Sequence, residues 1–448
     1  MVAQKNIIKK VEIGVNTPSL ENGLQLKDGL DTFFKEQIFP EMDNYFNSFQ
    51  KNKSNTIRID SIAIEISLKE NSSMIDLKFL IISELKNKIN AENISINSFQ
   101  NFKIVNSAEN ETAAFFHFLN HGTLPWWFEE KTNIWEEFLN NLPPEKEFSK
   151  KLKALLEKEE IRKRLIFQFD NKQLFQIVSS VLMLIKKGNN SFKILKNIRN
   201  QFWEAVLSHS INNEKALIEI LKNTSLKDVE KILKIANEIF GINIQIDIEE
   251  FAKIKATNKE LLKKANSEKT NNIEVSESLS SIEKDGILLR NAGLILLHPF
   301  LKMFFEKLDF LSGKHIKTEK VDEAIHLLHY LSTGKEQTYE HELVFEKFLC
   351  NVSLHQPINR HVSLSKEQKI SCEVLLQAVL EHWSALKSKS TKIIQNEFLQ
   401  REGKLIITEE KQTLIVQRKT QDILLEKLPW SIHLIKIPWK EKILFVEW

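Results

Sequence analysis

The chain is poor in the residues that build many familiar sites: 448 residues hold only two cysteines, three tyrosines, 11 glycines and nine prolines. Two cysteines, Cys350 and Cys372, can make neither a disulfide framework nor a four-thiolate zinc site, and both sit in apolar helical patterns that suit small core residues. No G-x-G-x-x-G or G-x-S-x-G occurs, and Ser332-Thr333-Gly334-Lys335 lacks the earlier glycine and the following Ser/Thr of a phosphate loop. Gly334 reads instead as a helix cap. With Lys+Arg 63 against Asp+Glu 60 the formal charge is +3, which gives no global field toward nucleic acid or anionic lipid. Long hydrophobic runs are missing too. The most apolar window, Ile287 to Leu311, is broken by Arg290, His298, Lys302, Glu306, Lys307 and Asp309, short of the ~20 apolar residues of a span. It reads as a buried strand or short helix followed by an amphipathic helix from Pro299. The first 16 residues show no apolar signal-peptide core, so synthesis is expected to finish in the cytoplasm.

What is abundant is phenylalanine, 29 residues, and a distinctive end. Residues 428–448, LPWSIHLIKIPWKEKILFVEW, carry two aliphatic-Pro-Trp triplets and stop on Trp448. A tryptophan has a large apolar area and an N–H that needs an acceptor, so this terminus must be held by the core or by another subunit. Together with Leu124-Pro125-Trp126-Trp127-Phe128 and Glu381-His382-Trp383, these residues define the candidate contact set: Trp126, Trp127, Trp383, Pro429, Trp430, Pro438, Trp439 and Trp448. A rigid proline beside a two-torsion indole suits an interface anchor. For any single tryptophan, intramolecular packing is the simpler role.

Periodicity divides the chain into an N-terminal α+β domain (1–108), a helical middle (109–265), a linker (266–286) and a C-terminal domain (287–448). The fold class is helix-dominated α+β. In the first part Ile7–Val15 is predicted as a strand, Leu26–Phe49 as a helix kinked at Pro40, and Ile57–Leu68 as a strand bulged at Asp60-Ser61. A helix over Met74–Ile89 and a strand over Phe102–Val105 follow. Turns at Pro143-Pro144, Gly188-Asn189-Asn190 and Gly241 cut the middle into hairpins. Residues 266–286, NSEKTNNIEVSESLSSIEKDG, have linker composition and mark the main boundary. Beyond them, four helices precede a hairpin at Lys404–Ile407 and Leu414–Arg418, a short helix at Asp422–Lys427 and the terminal strands.

Eight of the 12 histidines lie between His298 and His382, and His326 and His329 share a helix face, so a metal site was weighed. His341-Glu342 is followed by Leu343, Val344 and Phe345, which removes the second histidine of H-E-x-x-H. Helical histidines at the edge of an apolar face explain the pattern better. No cofactor is expected.

The ordered motifs GILLRNAGLILLHPFLKMFFEKLDFL, EAIHLLHYLSTG, HELVFEKFLCN, LLQAVLEHWSALKSKS, FLQREGKL, LPWSIHLIKIPW and FVEW resemble the tape measure protein family of bacterial contractile injection systems. IRIDSIAIEIS and FFHFLNHGTLPWWF extend the resemblance over most of the chain. It implies a non-enzymatic assembly factor of a phage-tail-like particle that helps set tube and sheath length. Implied partners are inner tube, baseplate or cap subunits, with no nucleic acid and no membrane span, and implied locations are the cytoplasm during assembly or the particle lumen. One continuous helix at about 1.5 Å per residue would reach roughly 670 Å, whereas the segmented pattern describes something compact. A compact adaptor or assembly chaperone that measures nothing is therefore the alternative. A metal-dependent enzyme or delivered effector, with His326, His329 or His341 as ligands, is the second.

Overall fold

A computed structural model describes residues 6–17, 29–49, 55–68, 72–93, 102–128, 134–142, 146–182, 194–211, 224–240, 281–387 and 390–448. It is a helix-dominated α+β protein with several small sheets. The chain forms two compact units, one of residues 1–115 and 125–132, the other of 116–124 and 133–448. The predicted turns at Pro143-Pro144, Gly188–Asn190 and Gly241, and the linker up to residue 280, lie outside the described residues.

In the first unit helix α1 (Phe39–Phe49) is entered through a π-turn, Phe34–Ile38, in which Phe39 N–H donates to Phe34 O. Pro40 has no N–H for the helical ladder, and the wider turn beside it is the form its predicted disturbance takes. Leu30, Phe33 and Ile38 meet Ile81 and Ile82 of α2 (Met74–Asn93) in a small core. Strands β1 (Asn55–Ile59) and β2 (Phe102–Asn106) pair antiparallel with Ile57 opposite Ile104. Two strand expectations are corrected here. Residues 61–68 leave the ladder after Asp60 instead of bulging within it, although Ile62, Ile64 and Ile66 are still half-buried between exposed neighbours. Ile7–Val15 pairs in no ladder among the described residues. Alternation reveals which side of a segment is apolar and says nothing of a pairing neighbour.

The division between units falls within α3 (Ser107–His121), after Phe115. The second unit continues with α4 (Ile134–Asn140), α5 (Lys146–Leu156), α6 (Glu159–Gln168), α7 (Asn171–Val181), α8 (Arg199–Ser210) and α9 (Leu226–Phe240). Their amphipathic faces bury residues such as Leu152, Leu165, Ile177 and Phe202. Asp170 and Gln173 form a reciprocal capping box that starts α7. After α10 (Ser281–Asp285) come β3 (Ile287–Leu289), a 3-10 segment Ala292–Leu297 and α11 (His298–Lys307), with proline in its first turn as expected. A hairpin of β4 (Leu311–Ser312) and β5 (His315–Ile316) leads to α12 (Val321–Thr333). Gly334, at φ 73°, donates its N–H to Tyr330 O and ends α12, as its sequence setting suggests. Helices α13 (Val344–Leu349) and α14 (Lys366–His382) follow, the latter opened by a Ser365/Gln368 capping box.

The chain ends in a five-stranded sheet of order β3-β6-β7-β9-β8, where β6 is Gly403–Ile407, β7 Gln412–Val416, β8 Leu434–Ile435 and β9 Leu444–Glu447. Only the β7–β9 pairing is parallel. Leu405, Leu414, Ile435, Leu444 and Val446 turn one face of this sheet into the core shared with α11–α14. The other face is uncovered at Leu288, Ile415, Leu434 and Phe445.

Sequence composition separates the helical middle from the C-terminal part, yet the helices on both sides of residues 266–286 belong to one unit. A buried polar cluster joins them. Arg164 of α6 forks onto Glu340 (Nε to Oε2 3.0 Å, Nη2 to Oε1 3.3 Å) and donates to Leu119 O at 2.5 Å. Lys347 adds a second cation at 2.8 Å from Glu340 Oε1 and also donates to the carbonyls of Leu354 and Gln356. Burial lowers the Lys347 pKa against the pull of Glu340. Gln168 of α6 donates to Ile358 O and accepts from Glu340 N–H, at 2.6 and 2.7 Å. Gly122, at φ 71°, makes room for this cluster, since a Cβ there would lie 2.4 Å from Glu340 Oε1. A polar linker in sequence reports on the connection alone. Whether the elements it joins share a core depends on these distant contacts.

Candidate docking site at the Pro-Trp segments

The eight candidate contact residues fall into three settings. Trp383 and Trp439 are interior: each is at most 4% exposed, and each indole N–H is used within the same unit. Trp383 donates to Leu424 O at 3.1 Å and packs edge-on against Phe398 at 4.8 Å. Trp439 donates to Leu349 O at 2.6 Å, and the adjoining Lys440 donates to Phe348 O at 3.1 Å. Phe348 O also accepts from Asn351 N–H, whereas Leu349 O, the last carbonyl of α13, is met by the indole, so the second Pro-Trp triplet is a C-terminal helix cap supplied from about 90 residues away in sequence. Asn351 in the left-handed region, at φ 58°, turns the chain beneath it. Phe305 lies 5.4 Å from the Trp439 ring.

The chain-terminal Trp448 is half-buried and donates to Asp422 Oδ2 at 3.0 Å. Asp422 also accepts from Arg401 Nη2 at 2.5 Å and from Lys419 N–H at 2.8 Å, which starts the 3-10 segment Thr420–Lys427. Arg401 is fully buried and reaches Glu397 O at 2.5 Å. Three separate stretches thus meet on one carboxylate, and the terminus is tied down as its composition requires.

The remaining residues reach the surface. Trp430 is half-buried, edge-on to Phe300 at 5.2 Å, and its buried Nε1 has no hydrogen-bond partner among the described residues. Pro429 and Pro438 are exposed. In the first unit Trp126 and Trp127 are half-buried, and the Arg58 guanidinium stacks 3.4 Å above the Trp127 ring while bonding Asn110. The two Pro-Trp triplets therefore differ: in 437–439 the indole is internal structure, and in 428–430 the indole is only half-buried beside an exposed proline.

The histidines weighed as metal ligands have other roles in the structure. Both ring nitrogens of His326 face backbone carbonyls, Glu336 O at 3.1 Å and Asn359 O at 3.0 Å, and burial brings its pKa down to about 4 against those carbonyls. His329 Nδ1 lies 3.3 Å from Glu346 Oε1, which also accepts from Asn291 at 2.8 Å. Tyr339 stacks on His341. Among the described residues no group of three or more His, Cys, Asp or Glu converges as a metal would need. Both cysteines are buried thiols, with Cys372 pushed up to about 12 by burial. No described helix is long and apolar enough to cross a membrane.

Sequence reasoning missed Arg401, Asp422, Lys440 and the Arg164–Glu340–Lys347 cluster. Arg401 stands beside Gln400, Glu402 and Lys404 in FLQREGKL, so no local signal marks it as buried.

No curated protein and no solved structure matches the chain. A family model does, and it covers residues 5–448, which includes both units and every Pro-Trp segment described above. By that match the chain belongs to the contractile injection system tape measure protein family.

Proposed function

We propose that this chain is a non-enzymatic assembly component of a contractile injection particle, whose second unit is a folded docking body for tube, baseplate or cap subunits. The family match over nearly the whole chain carries this reading. Its support in the geometry is that the tail motifs build a closed body and leave Pro429, Trp430 and Pro438 at the outside, where a rigid apolar edge costs little ordering on contact. Trp126 and Trp127 offer a second contact in the first unit.

Length setting belongs to the same proposal, and one observation favours the adaptor form of it. The helices between Ile134 and Phe240 are short and are bonded into the second unit through Arg164 and Gln168. The longest described helix, Met74–Asn93 with 20 residues, spans only about 30 Å. A body of this kind positions a growing tube more readily than it measures one. Photo-crosslinking residues placed at Pro429 and Pro438 test the docking role in cells that build the particle. Crosslinks to tube, baseplate or cap subunits are expected from these sites and not from exposed Glu409. Equal or no capture from all three would reject the assignment of this surface.

A further inference from the structure

The outer face of the five-stranded sheet carries exposed apolar side chains on four of its strands and in the segment before β9, around a buried Thr413 and with Lys411 over the Phe445 ring. Leu288, Ile415, Phe445 and Leu434 are 59%, 37%, 37% and 62% exposed, and Ile443, on the same side of its segment as Phe445, is 48% exposed. At roughly 150–200 Å² for a fully exposed large side chain this is about 400 Å² of apolar surface, so its layout, and not its size, points to an occupant. The strand register fixes how the patch is laid out. One row across the sheet reads Leu288, Lys404, Ile415, Glu447, on β3, β6, β7 and β9 in that order. The next row places Phe445 of β9 beside Leu434 of β8.

This layout is its own complement. A two-fold axis lying in the plane between two stacked sheets and running parallel to β7 exchanges left and right. It sets β6 of one copy over β9 of the other and β7 over β7. Lys404 then faces Glu447 of the second copy, Ile415 faces Ile415, and the apolar outer strands β3 and β8 face each other. Lys404 and Glu447 are separated by the whole of β7 within one chain. Isologous contacts need this self-matching of charge and shape, and face-to-face sheets pack in this way about 10 Å apart.

We infer that the outer sheet face binds a second copy of this chain, forming a two-fold dimer through stacked C-terminal sheets. The inference uses the sheet alone and stands apart from the proposed docking role. Analytical ultracentrifugation of the full chain across about 1–100 μM tests it. Wild type should sediment as a dimer, and Ile415→Lys, which brings two like charges together on the axis, should sediment as a monomer with an unchanged circular-dichroism spectrum. Lys404→Glu alone and Glu447→Lys alone should each weaken the dimer about tenfold or more, because each places like charges opposite one another. Combining the two should restore it. That rescue separates an intermolecular pairing from a folding defect, since the two positions do not touch within one chain. A wild-type monomer at 100 μM, a dimer indifferent to all four variants, or a double variant weaker than either single would overturn the inference. A monomeric chain whose Ile415→Lys variant fails to join particles would give the face to another protein and would equally overturn it.

Discussion

Replacing Trp439 by Phe and Trp430 by Phe removes the same N–H from two similar triplets, and the structure expects different results. At Trp439 the change deletes the 2.6 Å donor to Leu349 O at the buried end of α13. The carbonyl loses its partner in a place water cannot reach, at about 1–3 kcal/mol, and the smaller ring leaves a gap beside Phe305 that adds to it. At Trp430 the buried N–H has no acceptor among the described residues, so its removal also removes a standing cost, and the edge contact with Phe300 survives in a phenyl ring. The change there should stay within about 1 kcal/mol of wild type. Trp439→Ala should exceed both, at about 3–5 kcal/mol. Urea unfolding followed by far-UV circular dichroism gives the three values free of changes in indole emission. A Trp439→Phe variant as stable as wild type, or a Trp430→Phe variant that loses more than it, would refute the cap.

Three further outcomes follow from buried groups. Glu340→Gln leaves Arg164 and Lys347 facing each other without their shared carboxylate, and urea unfolding should show a loss of about 3–5 kcal/mol. Gly293→Ala should destabilise strongly by the same assay, because a Cβ there would lie 1.7 Å from Phe398 O, which is backbone and cannot swing away. Acidification should weaken the fold. Burial lowers His117, His121, His326 and His361 to about 4 from 6.5, so the unfolded chain binds more protons between those values and their contribution is lost as pH falls from 6.5 toward 4. Asp322, raised to about 6 by burial, and Glu204, also raised by burial, act with the opposite sign, but burial lowers His298 as well, so five groups stand against two. Urea midpoints at pH 7 and pH 5 should therefore differ, with the lower at pH 5, and equal midpoints would contradict the assignment.

The elements that could be read from sequence were those whose cause is local. The Lys404–Ile407 and Leu414–Arg418 hairpin, the Gly334 cap and the helix entered at Pro299 each depend on residues within a few positions of one another. The composition also showed that the last 21 residues had to be held. What held them was hidden, because Trp439 caps a helix 90 residues away and Trp448 answers an aspartate 26 residues away, and neither separation leaves a periodic trace. The same holds for Arg164 and Glu340, 176 residues apart, which bind the helical middle to the C-terminal part across a stretch that reads as a linker. The sequence left the candidate contact set undivided. It could not sort the interior Trp383 and Trp439 from the outward Pro429, Trp430 and Pro438, since burial depends on what folds over a residue. The N-terminal segments show the reverse failure: Ile7–Val15 alternates like a strand, but the ladder that would make it one is missing among the described residues.

The central claim is that this chain acts by fitting against other subunits while the particle is built. Electron microscopy of particles from cells lacking it, with wild-type chain or the Trp439→Ala variant resupplied, tests that claim most directly. Missing particles or a broad spread of lengths, corrected by the wild-type chain and poorly by the variant, is the expected result. Particles of normal number and uniform normal length in the complete absence of the chain would contradict it.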